Sequence, residues 1–177
     1  MTIPTLSTNR LILRPFTLED APVVQRLAGD REVASNTLTI PHPYEDGVAE
    51  AWIEGRAAAW EAKKILALAV TQEQDGVVGA ISLKLNFAHR RGELGYWIGV
   101  PFWNRGYATE AAKALVDYGF DALGLNRIEA HYLMRNPTSG RVLKKVGMKH
   151  EGILREQIVK WDVAEDMGLY ACLASDR

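Results

Sequence analysis

Hydrophobic positions punctuate the chain in short, type-specific runs. Leu11, Leu13 and Phe16 mark a first strand that stops near Pro15. Thr17 opens a T-x-x-D start, which predicts a helix over residues 18–28 closed by Gly29. Residues 44–64 read as helical, with Trp52, Ala59 and Trp60 at i, i+7, i+8 spacing on one face. Residues 65–71 and 77–85 are apolar, β-compatible runs around a polar turn, the pattern of a hairpin. After a basic turn at 89–92 comes a strand over 93–100, rich in aromatic and β-branched residues and ended by Pro101. A helix over 107–123 follows, with Ala108, Ala111, Ala112, Leu115, Val116 and Phe120 on its faces and Gly124 at its end. Residues 127–134 read as a strand and 138–146 as a short helix with Gly147 as its C-cap. The last stretch, 149–173, reads as two strands around a turn near 161–165. A helix joining the strands at 93–100 and 127–134 makes that pair parallel; the hairpins make the rest antiparallel. The class is α+β with a central mixed sheet.

Length and composition fit a single domain over residues 1–177. A chain of 177 residues buries enough surface to need no disulfide or metal. Net charge is −1, which argues against coating nucleic acid or an anionic membrane by bulk charge. The lone cysteine, Cys172, reads as a buried, inert thiol, and no Cys/His cluster has metal spacing. The first residues lack the pattern of a signal peptide, and no apolar stretch reaches the ~18 residues of a membrane span. The expectation is a cytoplasmic protein.

The chemistry concentrates in YWIGVPFWNRGYATEAAKAL, a strand, a loop and a helix start. The first N–H groups of a helix have no intrahelical acceptor and carry the positive end of its dipole, so they bind phosphate without a dedicated side chain. Gly106 lets a diphosphate approach the backbone, Ala108 keeps the next turn open, and Arg105 adds positive charge. A plain helix start is the competing reading. Past the next strand stands NPTSGRVLKKVGM, residues 136–148. Asn136 at a strand end can bond a peptide-like ligand, and Ser139 sits in the first helical turn. Helix capping alone would also explain both.

Together these segments resemble the GNAT superfamily of N-acetyltransferases. Residues 103–108, Trp-Asn-Arg-Gly-Tyr-Ala, are similar to its acetyl-CoA loop, with Trp103 where Gln or Arg usually leads. ELGYWIGVPFWNRGYATEA, RNPTSGRVLKKVGM, LSTNRLILRPFTLEDAPVV and HEGILRE look like the RimJ/RimL-type branch, the ribosomal-protein N-terminal acetyltransferases. The resemblance runs from about Leu6 to Leu173. It implies a mostly antiparallel twisted sheet, flanked by helices, whose one parallel strand pair splays apart around the pantetheine arm of acetyl-CoA.

The resemblance assigns roles. Ile98 and Val100 would offer backbone groups to the pantetheine, and Asn136 its amide. Arg105, Gly106, Tyr107, Ala108 and Thr109 would cradle the diphosphate. A bulge near Ile98–Gly99 would aim an N–H at the thioester carbonyl, stabilising a tetrahedral oxyanion. Many relatives carry a tyrosine seven places after the Asn; here that place is Leu143, and RimL-type members look instead to the serine three places on, Ser139. Ser139 would bond or protonate the departing sulfur. Glu93, at the start of the splayed strand, is the candidate base, acting through water, with His89 a weaker alternative. No metal is implied.

The resemblance implies a primary amine as acceptor. A protein N-terminal α-amine is favoured by the branch and by chemistry: near pH 7.4 roughly a quarter of such amines are neutral, against ~0.1% of ordinary lysines. A polyamine or an aminoglycoside is the alternative within the enzyme reading, and a non-catalytic acyl-CoA-binding module is the alternative outside it. Selectivity is expected from residues 36–45, 87–91 and 161–166. Trp52, Trp60 and Trp161 are candidates to line the acceptor cleft, as are the carboxylates of Glu45, Asp46, Glu50, Glu54, Asp162, Glu165 and Asp166. Homodimers occur in this branch.

Overall fold

The computed structural model describes residues 2–177. The chain opens with β1 (Leu6–Ser7) and β2 (Leu11–Arg14), then a 3-10 turn at Leu18–Asp20 and α1 (Ala21–Ala28). Next come α2 (Arg31–Ser35), α3 (Val48–Glu61), β3 (Ile65–Gln72), β4 (Gly76–Asn86) and β5 (Arg91–Ile98). The second half holds α4 (Tyr107–Asp121), β6 (Arg127–Leu133), α5 (Pro137–Lys145), β7 (Lys149–Lys160) and β8 (Val163–Leu173). The strands form one sheet in the order β1-β2-β3-β4-β5-β6-β8-β7, antiparallel throughout except for β5 beside β6. The expected α+β class and parallel pair are therefore both present.

Helices cover both faces of the sheet. On β5, Leu94 and Ile98 join a core with Ala111, Leu115 and Phe120 of α4. Trp97, one pleat step away, packs against Val24 and Ile53 of α1 and α3. Trp60 is buried in the core and Trp52 meets Phe16 edge-on at 4.9 Å, so both indoles serve packing. Cys172 is buried, and burial pushes its thiol up to about 11, which keeps it inert. No described helix is long and apolar enough to cross a membrane.

Several boundaries differ from the sequence reading. The expected helix over 18–28 is a 3-10 turn followed by α1. The Asp20 carboxylate accepts the Thr17 N–H at 2.9 Å and takes both Arg14 terminal nitrogens at 2.8 Å. Burial pushes the Asp20 carboxyl up, but the bonds from Arg14 and Thr17 outweigh it and the net shift is downward. Asp20→Ala is expected to destabilise the fold by about 2–3 kcal/mol, since it strands a partly buried guanidinium. A depressed folded value contributes stability above the unfolded carboxyl range, near 3.9. That stability is lost as pH falls through the folded value. Urea titrations at neutral pH and near pH 3 check this: the gap between wild type and variant should narrow in acid.

α2 and β1 went unpredicted because five and two residues carry too little periodicity to see. α3 is shorter than expected, starting only after Gly47 turns left-handed. β5 begins at Arg91, so Glu93 is its third residue and lies inside the parallel ladder opposite Glu129, not at the strand's start.

Candidate active site

The parallel pair is short. Only Arg91, Gly92 and Glu93 pair with Arg127, Ile128 and Glu129, although β5 continues to Ile98 and β6 to Leu133. Beyond Glu93 the strands part. The Gly99 N–H bonds the Val78 carbonyl of β4 at 2.9 Å. By the two-residue alternation, Tyr96 and Ile98 then turn their main-chain groups toward the gap left by β6. The Ile98 carbonyl accepts a bond from Trp103 Nε1 at 2.6 Å. β5 pairs with β4 in unbroken register through Ile98, so the expected bulge at Ile98–Gly99 is absent. The Gly99 N–H is spent on β4, which leaves the Ile98 N–H as the donor facing the gap. Val100 begins a 3-10 turn instead of ending the strand, and its N–H has no acceptor among the described residues.

The mouth of the gap is the N-terminus of α4. Asn104 and Gly106 take left-handed φ of 61° and 80°, which curls the loop so that successive amides point one way. The first helical bond at this end runs from Glu110 N–H to the Gly106 carbonyl at 3.1 Å. Among the described residues, the N–H groups of residues 104–109 find no acceptor. Arg10 braces the curl from outside, bonding the Arg105 carbonyl at 2.9 Å and pairing with Glu110 at 2.7 Å. Partial burial pushes the Glu110 carboxyl up, but Thr8 and Arg10 hold it below its ordinary range. Its negative charge is thus engaged away from the amides. Arg105 is less free than its sequence position suggests: it sits 3.6 Å from Asp75 and bonds the Pro101 carbonyl. The Tyr107 ring is buried, so this residue contributes to the mouth through its N–H.

Across the gap, Asn136 caps α5. Its side-chain oxygen accepts the Ser139 N–H at 3.4 Å, and its amide nitrogen has no partner among the described residues. Ser139 Oγ lies 2.8 Å from the hydroxyl of Tyr96, which also reaches the Ser139 carbonyl at 3.2 Å. Burial pushes the Tyr96 phenol up to about 12, against a smaller opposing pull from Ser139. Leu143 is fully buried, so no side chain at that place reaches the cleft.

One cavity of about 670 Å³ gathers these groups. Residues 104–109, Ile98, Asn136, Ser139 and Tyr96 all line it; Val100 and Glu93 do not. Arg141 and Lys145 of α5 join Arg105 around it, and no described carboxylate does. Positive charge and open amides fit a phosphorylated nucleotide. Sequence reasoning missed Tyr96, although its place two residues before Ile98 on the same pleat face put it within view.

Glu93 opens on the other face of β5, the one shared with Trp97. His131 Nδ1 stands 3.3 Å from its carboxylate. That bond holds the Glu93 carboxyl below its ordinary range, against the upward push of burial. His131 was not foreseen, and His89 is an exposed turn residue. The carboxylates expected as possible acceptor contacts are scattered: Glu165 pairs with Arg135, Asp46 accepts from Gln25, and Asp166 accepts the Glu156 N–H.

Comparison with known proteins bears on this geometry. The profile of the acetyltransferase (GNAT) domain matches residues 10–149. An uncharacterized N-acetyltransferase of Bacillus subtilis, YoaA, is 33% identical over 172 residues, covering 95% of this chain and 96% of that protein. The spermidine N(1)-acetyltransferase of Escherichia coli K12 is 26% identical over 151 residues, covering 85% of this chain and 79% of that protein. Among solved structures, Mycobacterium smegmatis RimJ in complex with CoA-disulfide superimposes with a TM-score of 0.88 at 24% identity, covering 98% of this chain and 89% of that one.

Proposed function

Since this chain belongs to the GNAT family of N-acetyltransferases, we propose that it moves acetyl from acetyl-CoA to a primary amine, with a protein N-terminal α-amine as the favoured acceptor. The observation that carries the cosubstrate is the run of unpartnered N–H groups at 104–109 beside the parted strands. On this reading the amides of residues 105–109 hold the diphosphate. The gap-facing groups of Ile98, the Val100 N–H and the Asn136 amide hold the pantetheine. The Trp103 indole then gives up the Ile98 carbonyl. The RimJ/RimL-type assignment is supported by the likeness to RimJ at the level of fold, and by the position of Ser139.

The two faces of β5 divide the chemistry. The acceptor nitrogen attacks the thioester carbonyl; a C–N bond forms and the C–S bond breaks. The proton shed by nitrogen passes through water to Glu93 on the face of α1 and α3. The sulfur leaves on the face of α5, where the Ser139 hydroxyl donates to it. His131 keeps Glu93 ionised through and below neutral pH, so the base is competent wherever the amine is neutral.

The α-amine is favoured over a polyamine because far more of it is neutral near neutral pH. The kinship with a spermidine acetyltransferase makes the polyamine the rival to test. Release of free thiol from acetyl-CoA, measured against N-terminal peptides, spermidine and an aminoglycoside, decides the acceptor. Rate with spermidine alone would reject the α-amine. In the same assay Glu93→Gln is expected to lower kcat/KM about 10- to 100-fold. The wild-type acid limb should follow the amine, at about pH 7.7–8.0 for an α-amine, because the depressed Glu93 carboxyl is already ionised there. An unchanged rate in Glu93→Gln would remove it as the base.

A further inference from the structure

A second, open groove of about 760 Å³ runs beside the cavity, between the start of α2 and the β7–β8 hairpin. Arg135 lines the groove and connects it to the cavity through Asn36. It bonds Glu165 at 2.6 Å on the groove side and Asn36 at 3.1 Å, and Asn36 also lines the cavity. At the hairpin tip stands Trp161. Lys160 Nζ lies 5.2 Å and the Arg31 guanidinium 5.7 Å from the centre of its ring.

Lys160 is 7% exposed, yet among the described residues its ammonium hydrogen-bonds only the Ile40 carbonyl, at a long 3.3 Å. Neither Lys160 nor Arg31 pairs with a carboxylate among the described residues. The acids that line the groove form no ion pair with them. Glu165 is taken by Arg135, Asp30 accepts the Glu32 N–H at 2.8 Å, and Glu32 is exposed. Burial pulls the Lys160 value down and Arg135 adds to it. A buried ammonium with one weak neutral acceptor is an expensive arrangement that an anion would relieve. A purely structural tether for the hairpin needs no charge there.

We infer that this groove holds an anionic group of the acceptor, a carboxylate or a phosphate, gripped by Lys160 and Arg31 beside Trp161, while the amine reaches the cavity past Asn36. The inference rests on the acetyltransferase reading for its use but not for its existence. It narrows the acceptor to amines that carry an anion and disfavours polyamines.

The full chain is melted with CoA saturating, so that the amides at 104–109 are filled, and inorganic phosphate is titrated. Phosphate should raise the melting temperature saturably. Lys160→Met and Arg31→Met should each weaken that response about 10-fold. In the transfer assay phosphate should raise KM for the acceptor and leave KM for acetyl-CoA unchanged. Lys160→Met should raise KM about 10-fold for an acidic N-terminal peptide while sparing the same peptide with its carboxylates amidated. Equal phosphate responses in wild type and both variants overturn the site, as does competition with the acidic and amidated peptides alike. If no amine is acetylated but phosphate binding still depends on Lys160, the acceptor reading fails and the anion site stands.

Discussion

Ser139→Ala is expected to lower kcat about 10²-fold and to leave KM for acetyl-CoA within about twofold, because the hydroxyl acts on a sulfur that bears charge only as it leaves. A serine hydroxyl has one hydrogen. Its worth depends on whether that hydrogen is free to face the cleft. Tyr96 decides this: its hydroxyl is 2.8 Å from Ser139 Oγ and 3.2 Å from the Ser139 carbonyl, and the shorter contact is the one to Oγ. A phenol pushed up to about 12 keeps its proton throughout the working range, so it remains a donor. If Tyr96 gives its one hydrogen to Oγ and not to the Ser139 carbonyl, the Ser139 hydrogen is left for the sulfur. Tyr96→Phe should therefore lower kcat about 10-fold with little change in KM. In the Ser139→Ala background the same change should do almost nothing, since the two side chains act as one unit. Fully additive losses would separate Tyr96 from the chemistry. An unchanged kcat in Ser139→Ala would leave Ser139 with helix capping alone.

Gly106→Val should fail in the opposite way, through binding. Gly106 sits at φ 80°, a region that a β-branched residue enters only at a cost of about 1–3 kcal/mol. A Cβ there would also stand 3.3 Å from Arg10, the side chain that braces the loop. Relief of either strain re-aims the amides of residues 104–109. We expect Kd for CoA to rise about 10²-fold and the CoA-induced rise in melting temperature to collapse. kcat at saturating acetyl-CoA should be nearly kept, because Ser139, Tyr96 and Glu93 lie on other elements. Gly106→Ala, which carries strain but no branch, should fall between. Wild-type affinity in Gly106→Val would show that the loop is not where the diphosphate sits.

The residues of the candidate site divide by how far apart their partners lie in the chain. The loop at 104–109 was legible because its chemistry is local: a strand, a turn with glycine and a helix start generate open amides wherever they occur. Asn136 and Ser139 were legible for the same reason, three residues apart on one helix start. Tyr96 and Ser139 are 43 residues apart and Glu93 and His131 are 38 apart, and no spacing rule joins such pairs. The bulge expected at Ile98–Gly99 failed on a similar point. Whether the Gly99 N–H points into the gap or at β4 is set by the ladder to Val78, which the residues of β5 do not encode on their own.

The order of the longer elements, the parallel pair, the glycine-marked helix start and the family follow from the sequence alone, because each rests on periodicity or contiguous motifs. Where the strands part, which hydroxyl steers Ser139, and the unpaired Lys160 beside Trp161 belong to the tertiary structure. Those depend on hydrogen bonds and burial between segments brought together only when the sheet closes around them.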